Sequence, residues 1–342
     1  MSGTSLDGVD LAEISFSEEN GKISFEIGKA QTVPYSKEWV FKLKNGINCS
    51  EKELKVLNSE YTVLLGNIIK TFIKENQIKN IDAVASHGHT ILHQPQNGLT
   101  LQIGNLPKIA QITNQKVVCD FRVQDVTLGG QGAPLVPIGD RLLFSEYDYC
   151  LNLGGFSNIS FAESGERIAY DISPVNTVLN FYANKSGFDF DDKGQLSKNG
   201  VFNKELFDEL NSLEFYQKKY PKSLGFEFVQ ETIFPITENY ETGEVLRTFT
   251  EHIAFQISEN IRHKKSKLLI TGGGAYNDFL TRRIRHYLSE TEIVIPDKKT
   301  IEYKEALIFA LLGYLKLQNR INVLSSVTGA VRNHSSGVVY KK

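Results

Sequence analysis

The segment Tyr147-Asp148-Tyr149-Cys150-Leu151-Asn152-Leu153-Gly154-Gly155-Phe156-Ser157-Asn158-Ile159-Ser160-Phe161 decides the fold class. Tyr147–Leu153 and Asn158–Phe161 are strand material on either side of a Gly154-Gly155 turn. Towards the N-terminus, Ser2-Gly3-Thr4-Ser5-Leu6-Asp7-Gly8 is another glycine-bearing turn, followed by strand-forming stretches at Val9–Phe16, Lys22–Ile27 and Gln31–Val33, the first two linked by Glu19-Asn20-Gly21. Towards the C-terminus, an apolar strand at Lys267–Thr271 runs into Gly272-Gly273-Gly274-Ala275-Tyr276-Asn277. Both halves open with strand, turn and strand, which predicts two related α/β lobes with a cleft between them.

Helical periodicity fills the intervals. From Ser50 to Gln77, Leu54, Leu57, Tyr61, Leu64, Leu65, Ile68, Ile69 and Phe72 recur at three and four, with Ser50 as N-cap and Glu53 completing a capping box. Thr177–Ser186, Thr242–His263 and a closing stretch Ile301–Gln318 read as further helices. Short strands at Ile81–Ala85 and Lys116–Phe121 end in Ser86-His87-Gly88 and Asp120-Phe121-Arg122, so both deliver polar groups at their C-terminal ends. The Gly/Pro-rich passage Gly129–Pro137 reads as a boundary or a ligand-contacting loop, dividing a lobe at 1–136 from one at 137–342, with the closing helix able to cross back to the first.

Composition narrows the function. A chain of 342 residues, 41% apolar, can bury two cores. Thirty-eight basic against 40 acidic residues, net charge -2, with no long Lys/Arg run, disfavour nucleic acid as a partner. Cys49, Cys119 and Cys150 are odd in number and far apart, which suits reduced thiols. No apolar run approaches the roughly 20 residues that span a bilayer, and the first residues lack the basic and apolar regions of a signal peptide. The expected place is the cytoplasm, with no membrane partner.

Glycine lets a backbone approach a phosphate without an intervening Cβ, and exposed N–H groups beside Ser/Thr hydroxyls supply anion donors. Each turn alone could be structural punctuation; three of them across two lobes point to a nucleotide cleft. Neither G-x-x-x-x-G-K-[ST] nor G-x-G-x-x-G occurs, which disfavours P-loop and Rossmann readings. The arrangement suits the actin-like ATPase and sugar-kinase plan, with two turns at the phosphates and a third under the adenosine. The expected ATP contacts are Gly3, Thr4, Ser5, Asp7, Gly8 and Asp10 in the first turn, Gly154, Gly155 and Asn158 in the second, and Gly272, Gly273, Gly274 and Asn277 in the third. Asp7 is the expected carboxylate for Mg2+. His87, His89 and His93 form H-x-H-x3-H, which admits a metal-site reading, but no acidic or Cys ligand lies near them in sequence, and His87 reads better as a cleft residue near sugar or phosphate.

The strings MSGTSLDGVD, SHGHTILHQP, LQIGN, DFRVQD, GGQGAPLVP, NLGGFSNIS, TGGGAYN and VTGA, in that order over positions 1 to 330, resemble the signature blocks of the anhydro-N-acetylmuramic acid kinases. The resemblance implies an actin/hexokinase-like (RNase H-like) fold of two lobes. It implies cleavage of the 1,6-anhydro ring of the sugar by water, with transfer of the ATP γ-phosphoryl group to O6, in cell-wall recycling; it also implies a homodimer. Asp171 matches the family's catalytic aspartate, the base for the water that attacks C1; taken alone it could equally N-cap the following helix. Glu305 matches a glutamate facing the sugar, although a helix-start Glu also suits the dipole without any function. Arg122 offers a planar fork for the lactyl carboxylate, or could simply pair with Asp120 or Asp125. Asp125 and Asn176 complete the expected sugar contacts with His87.

The chain departs from the family pattern in places. The usual D-T-G-P-G-N is here Asp171-Ile172-Ser173-Pro174-Val175-Asn176, Asn180 stands where an aspartate is common, and His89 replaces a usual glutamine. The family also carries a short stretch ahead of M-S-G-T-S that forms the strand leading into the phosphate turn. Either the chain starts upstream, or it is cut, or its first lobe lacks an inner strand. A kinase for another anhydrosugar and a non-catalytic binding relative are the rival readings.

Overall fold

The computed structural model describes residues 1–3, 6–263 and 265–342. In chain order the principal elements are β1 (Gly8–Glu19), β2 (Lys22–Pro34), α1 (Glu51–Glu75), β3 (Val84–Ser86), β4 (His89–Gln94), β5 (Leu99–Ile103) and β6 (Val117–Cys119). Then come α2 (Val123–Thr127), β7 (Tyr149–Leu153), β8 (Phe156–Glu163), β9 (Glu166–Pro174), α3 (Asn176–Lys185) and α4 (Thr242–Glu259). The last are β10 (Lys267–Thr271), α5 (Asp278–Tyr287), β11 (Glu292–Val294), α6 (Lys298–Leu317) and β12 (Val338–Tyr340). The chain forms two compact units, Met1–Leu143 with Tyr303–Lys342, and Phe144–Glu302.

In the second unit one sheet has the order β11-β10-β7-β8-β9. β7, β8 and β9 form an antiparallel meander, while β10 runs parallel to β7 and β11 parallel to β10. Counted from its own first strand the order is 3-2-1-4-5, the topology of an RNase H-like lobe. Leu151, Leu153, Ile159 and Ile172 of the sheet pack with Val178 and Tyr182 of α3, Phe249 and Ile253 of α4, and Leu280 and Ile284 of α5. Each such side chain contributes about 1.5–3 kcal/mol when removed from water.

In the first unit the strands fall into three groups: β1-β2, β12-β6-β3 and β4-β5. The β1-β2 hairpin turns at Asn20 and Gly21, both at positive φ (52° and 77°). The interruption expected after Ile27 is a bulge instead: Ala12 pairs with Ala30 but Ile14 with Ile27, and Glu13 accepts a hydrogen bond from the Lys29 N–H inside the irregularity. The strand therefore runs unbroken to Pro34.

The capping box of α1 is present, with Ser50 Oγ accepting from Glu53 N and the Glu53 carboxylate accepting from Ser50 N. Its stripe of Leu54, Leu57, Tyr61, Leu65, Ile69 and Phe72 is buried with Val9, Leu11, Ile103 and Val117. After Val136 the chain enters a short helix, Pro137–Leu143, which stays with the first unit. Gly139 lies so close to Ile308 of α6 that a Cβ would overlap it, and buried Asp140 pairs with Lys304 at 2.8 Å. Among the described residues no helix is long and apolar enough to cross a membrane.

Candidate active site

In the first unit β3 and β6 are parallel, and Ser86 stands opposite Cys119. The loops leaving the two strands therefore emerge at the same end, which brings His87 and Arg122 together although 35 residues separate them. Arg122 Nε donates to His87 Nε2 at 2.9 Å, and Arg122 Nη1 donates to Gly132 O at 2.6 Å. His87 Nδ1 lies 3.0 Å from the Gly88 carbonyl, so the proton sits on Nδ1 and Nε2 is the acceptor. Burial, reinforced by the Arg122 charge, pushes the imidazole well below its usual range, and it is neutral. Burial also lowers the guanidinium to about 10, which leaves it charged at neutral pH. Arg122 forms no direct ion pair with Asp120 or Asp125, and Nη2 has no hydrogen-bond partner among the described residues.

Asp125 has a different job from the one its sequence position suggests. It is 0% exposed. Its Oδ2 accepts from Gly132 N at 2.7 Å and its Oδ1 from Thr328 Oγ1 at 2.8 Å, while Gln131 N donates to Thr328 O. Asp125 thus ties the Gly129–Gly132 loop to Val327-Thr328-Gly329, and acts through the carbonyl of Gly132 on Arg122.

Glu305 lies inside α6, two residues beyond the kink at Tyr303 (φ -113°, ψ 15°), and not in the helix's first turn. Its side chain keeps accessible surface, yet desolvation raises its carboxyl above the usual range, opposed chiefly by Arg122. Asp7 is exposed, with Oδ1 accepting from Gly8 N, and Asp10 Oδ1 accepts from Thr32 Oγ1 at 2.6 Å. Gly3 O accepts from Leu6 N. Thr4 and Ser5 lie outside the described residues.

The three histidines have separate partners: His87 holds Arg122, His89 Nδ1 meets Ser2 Oγ at 2.8 Å, and His93 Nδ1 meets Thr100 Oγ1 at 3.1 Å. Ser2 Oγ also meets Tyr35 OH, which reaches Tyr61 OH. Tyr35 and Phe309, whose ring lies 4.6 Å from that of His87, carried no signal in the sequence, and Ser2, read there as part of a phosphate turn, is engaged with His89 and Tyr35.

In the second unit β7 and β10 are parallel, with Thr271 opposite Asn152, so the second and third glycine turns leave the sheet side by side. The Gly155 carbonyl accepts from Val175 N and Thr177 N, and the Gly154 carbonyl from Asn176 N. Asn176 Nδ2 also donates to Leu153 O. Gly272 has φ +83°, and a Cβ there would meet Asn152 Oδ1 at 2.6 Å and Leu153 O at 2.8 Å. A Cβ on Gly273 would have Asn176 Nδ2 as its nearest atom, at 3.9 Å. Gly154, Gly155, Asn176 and Gly272–Gly274 therefore form one backbone-rich cradle. Asn277 is set back from it: its Oδ1 accepts from Leu280 N as the N-cap of α5.

Asp171 lies within β9, which continues to Pro174, and Val175 takes the N-cap position of α3. The N-cap alternative for Asp171 is thereby excluded. Across the sheet Asn152 stands opposite Asn158, and Asn158 opposite Asp171, placing three polar side chains in a row on one face. Asp171 Oδ2 accepts from Leu224 N at 2.8 Å, and Oδ1 has no hydrogen-bond partner among the described residues. Burial raises its carboxyl above the usual range, partly offset by the Leu224 N–H. Asn152 is the member of this row that sequence reading missed, because only the register reveals it.

The model of the anhydro-N-acetylmuramic acid kinase family matches residues 1–342. An anhydro-N-acetylmuramic acid kinase of Actinobacillus pleuropneumoniae serotype 3 is 33% identical over 100% of this chain and 98% of its own length. Enzymes of the same name from Pseudomonas syringae pv. tomato and Haemophilus influenzae are each 31% identical, covering 99% and 100% of this chain and 97% of their own lengths. The chain belongs to the anhydro-N-acetylmuramic acid kinase family and is a sugar kinase.

Proposed function

We propose that the protein converts 1,6-anhydro-N-acetylmuramic acid, water and ATP to N-acetylmuramic acid 6-phosphate and ADP, as a step of murein recycling in the cytoplasm. The second unit's cradle suits a nucleotide, because Gly272 and Gly274 leave open the space a Cβ would close against Asn152 and Leu153. Asp7, exposed and flanked by glycine-bearing backbone, suits Mg2+ held directly or through water. When bound, Mg-ATP supplies the γ-phosphoryl group and charge neutralisation.

The protein's own groups then have distinct tasks. Asp171 takes a proton from water as the water oxygen bonds to C1. The C1–O6 bond breaks, and O6 accepts the phosphoryl group as ADP leaves. A carboxylate with a raised pKa is a stronger base than an ordinary aspartate, and the Leu224 N–H fixes one oxygen so that the other is aimed. Arg122 takes the lactyl carboxylate through Nη2, its other nitrogens being anchored by His87 and Gly132. Glu305 and Asn176 orient the sugar.

The observation that supports this reading most is the partly desolvated Asp171 with one oxygen uncommitted, in line with Asn158 and Asn152. Mass spectrometry after incubation with Mg-ATP and the anhydrosugar tests it. A product heavier than substrate by one water and one phosphoryl group is expected; unchanged substrate, or phosphorylation without ring opening, would refute it.

A further inference from the structure

Three hydroxyls and one imidazole of the first unit form a single hydrogen-bonded file. Tyr61 of α1 is fully buried, and its OH lies 2.5 Å from the OH of Tyr35, the residue after β2. Tyr35 OH lies 2.7 Å from Ser2 Oγ, and Ser2 Oγ lies 2.8 Å from Nδ1 of His89, which opens β4. Ser2 and His89 are buried and Tyr35 is half-buried. Tyr35 stands edge-on to His89 with ring centroids 6.5 Å apart, and Trp39 stands edge-on to Tyr61 at 5.7 Å. Gly104, at φ +93°, lies against the Tyr61 ring, where a Cβ would come within 2.9 Å. The file therefore ties α1, the end of β2 and the start of β4 to the leading residue of the first glycine turn.

Each hydroxyl has one proton to give, and the order of donation follows from the closed end of the file. Burial raises both phenols above their usual range, so each keeps its proton. Tyr61 OH has no hydrogen-bond partner among the described residues other than Tyr35 OH, so its proton goes there. Tyr35 then gives its own proton to Ser2 Oγ, and Ser2 gives its own to His89 Nδ1. Run the other way, with an Nδ1–H donating to Ser2, the file would leave the Tyr61 proton buried without an acceptor. Burial lowers the His89 imidazole to about 4, so the ring is neutral and carries one N–H. With Nδ1 an acceptor, that N–H is at Nε2. His87, two residues earlier, is the opposite tautomer, its Nδ1 proton directed at the Gly88 carbonyl.

We propose that the file fixes His89 as its Nε2–H tautomer and makes it a positioning residue for the first glycine turn, acting through Ser2. An acceptor at His89 Nδ1 and a donor at Tyr35 OH hold Ser2 Oγ from two sides, so the start of the turn is placed before any ligand arrives. The effect on nucleotide rests on the reading of this turn as a phosphate contact. In that reading, the requirement at residue 89 is an acceptor for the Ser2 proton. Glutamine supplies one in its Oε1, whereas leucine supplies none and leaves Ser2 held from one side.

The test is NMR of the full chain labelled with ¹⁵N in its histidine rings, His89 being assigned by the loss of its signals in His89→Gln. Correlation of ring nitrogens with carbon-bound ring protons should show an unprotonated Nδ1 and a protonated Nε2 for His89, and the reverse for His87. Tyr35→Phe interrupts the file and should turn His89 into a mixture of tautomers. A protonated Nδ1 in the parent, or a tautomer that Tyr35→Phe leaves untouched, would overturn the proposal. Calorimetry with Mg-ATP reads the positioning. His89→Leu should weaken binding by about 3- to 10-fold, the loss of one neutral hydrogen bond, and His89→Gln should restore it to within about twofold of the parent. Equal weakening by both, or none by leucine, would remove the positioning role; should His89→Leu fail to fold, Tyr35→Phe takes its place. A parent that binds no Mg-ATP would fault the nucleotide reading alone, and the imidazole spectrum would still decide the file.

Discussion

Arg122 Nε donates to His87 Nε2 over 2.9 Å, so a permanent cation is steadied by a histidine that is itself held neutral. The guanidinium is thereby fixed from behind, and its remaining nitrogen is oriented before any ligand arrives. In the proposed reaction, preorganisation of this kind lets Arg122 take the sugar's carboxylate with little further ordering.

Arg122→Ala should raise KM for the carboxylate-bearing anhydrosugar by about 10- to 100-fold, the loss of a charge-assisted hydrogen bond of ~1.5–3 kcal/mol. A 1,6-anhydrosugar lacking the lactyl group should be handled with little change. Parallel steady-state kinetics on the two sugars decide the point, and equal loss on both would remove the carboxylate from the account.

Asp125 accepts from Gly132 N and Thr328 Oγ1 while fully buried. Asp125→Ala leaves both donors without their acceptor and should lower stability by about 2–4 kcal/mol. Urea denaturation should show an earlier midpoint with an unchanged slope. A variant as stable as the parent would mean that the loop is held by other contacts.

Acid should weaken the fold through its buried histidines. Burial lowers His89 to about 4 and His252 to about 3, and His87 is likewise well depressed. His252 is satisfied as a neutral ring by Asn211 Oδ1 and Tyr216 OH. The unfolded chain binds these protons near pH 6.5 and the native state does not, so stability is full above that pH and falls as pH drops towards the native values. At pH 5 each fully buried histidine should cost about 2 kcal/mol. Thermal midpoints from pH 7.5 to 5 test this, and a flat profile would contradict it. His252→Gln should make the slope shallower.

What the sequence disclosed was mostly local. Ser50, Glu53 and the apolar stripe from Leu54 to Phe72 define α1 because caps and 3.6-residue periodicity depend on near neighbours. Gly28 reads as the end of a strand, yet the long hairpin absorbs it as a bulge, which only the partner strand determines. Asp171 taken alone reads as a cap for the following helix, yet β9 runs on to Pro174 and Val175 takes the cap position. Asn277 reads as a ligand group and is a helix cap, whereas Asn152 gives no local sign and gains its place through cross-strand register. Polar roles set by long-range pairing are what a single sequence conceals.

Asp171 is the base of the proposed reaction. Asp171→Asn preserves size and can still accept from Leu224 N, so fold and ligand binding should survive while turnover falls by about 10²–10⁴-fold. The raised Asp171 carboxyl also places the acid limb of the parent kcat profile above the pH of an ordinary aspartate, with activity lost as pH falls through it. Measuring kcat of Asp171→Asn, with calorimetric binding of the anhydrosugar as control, is the most direct test. Binding within a few-fold of the parent with turnover nearly abolished is the predicted result, and near-normal turnover would contradict the account.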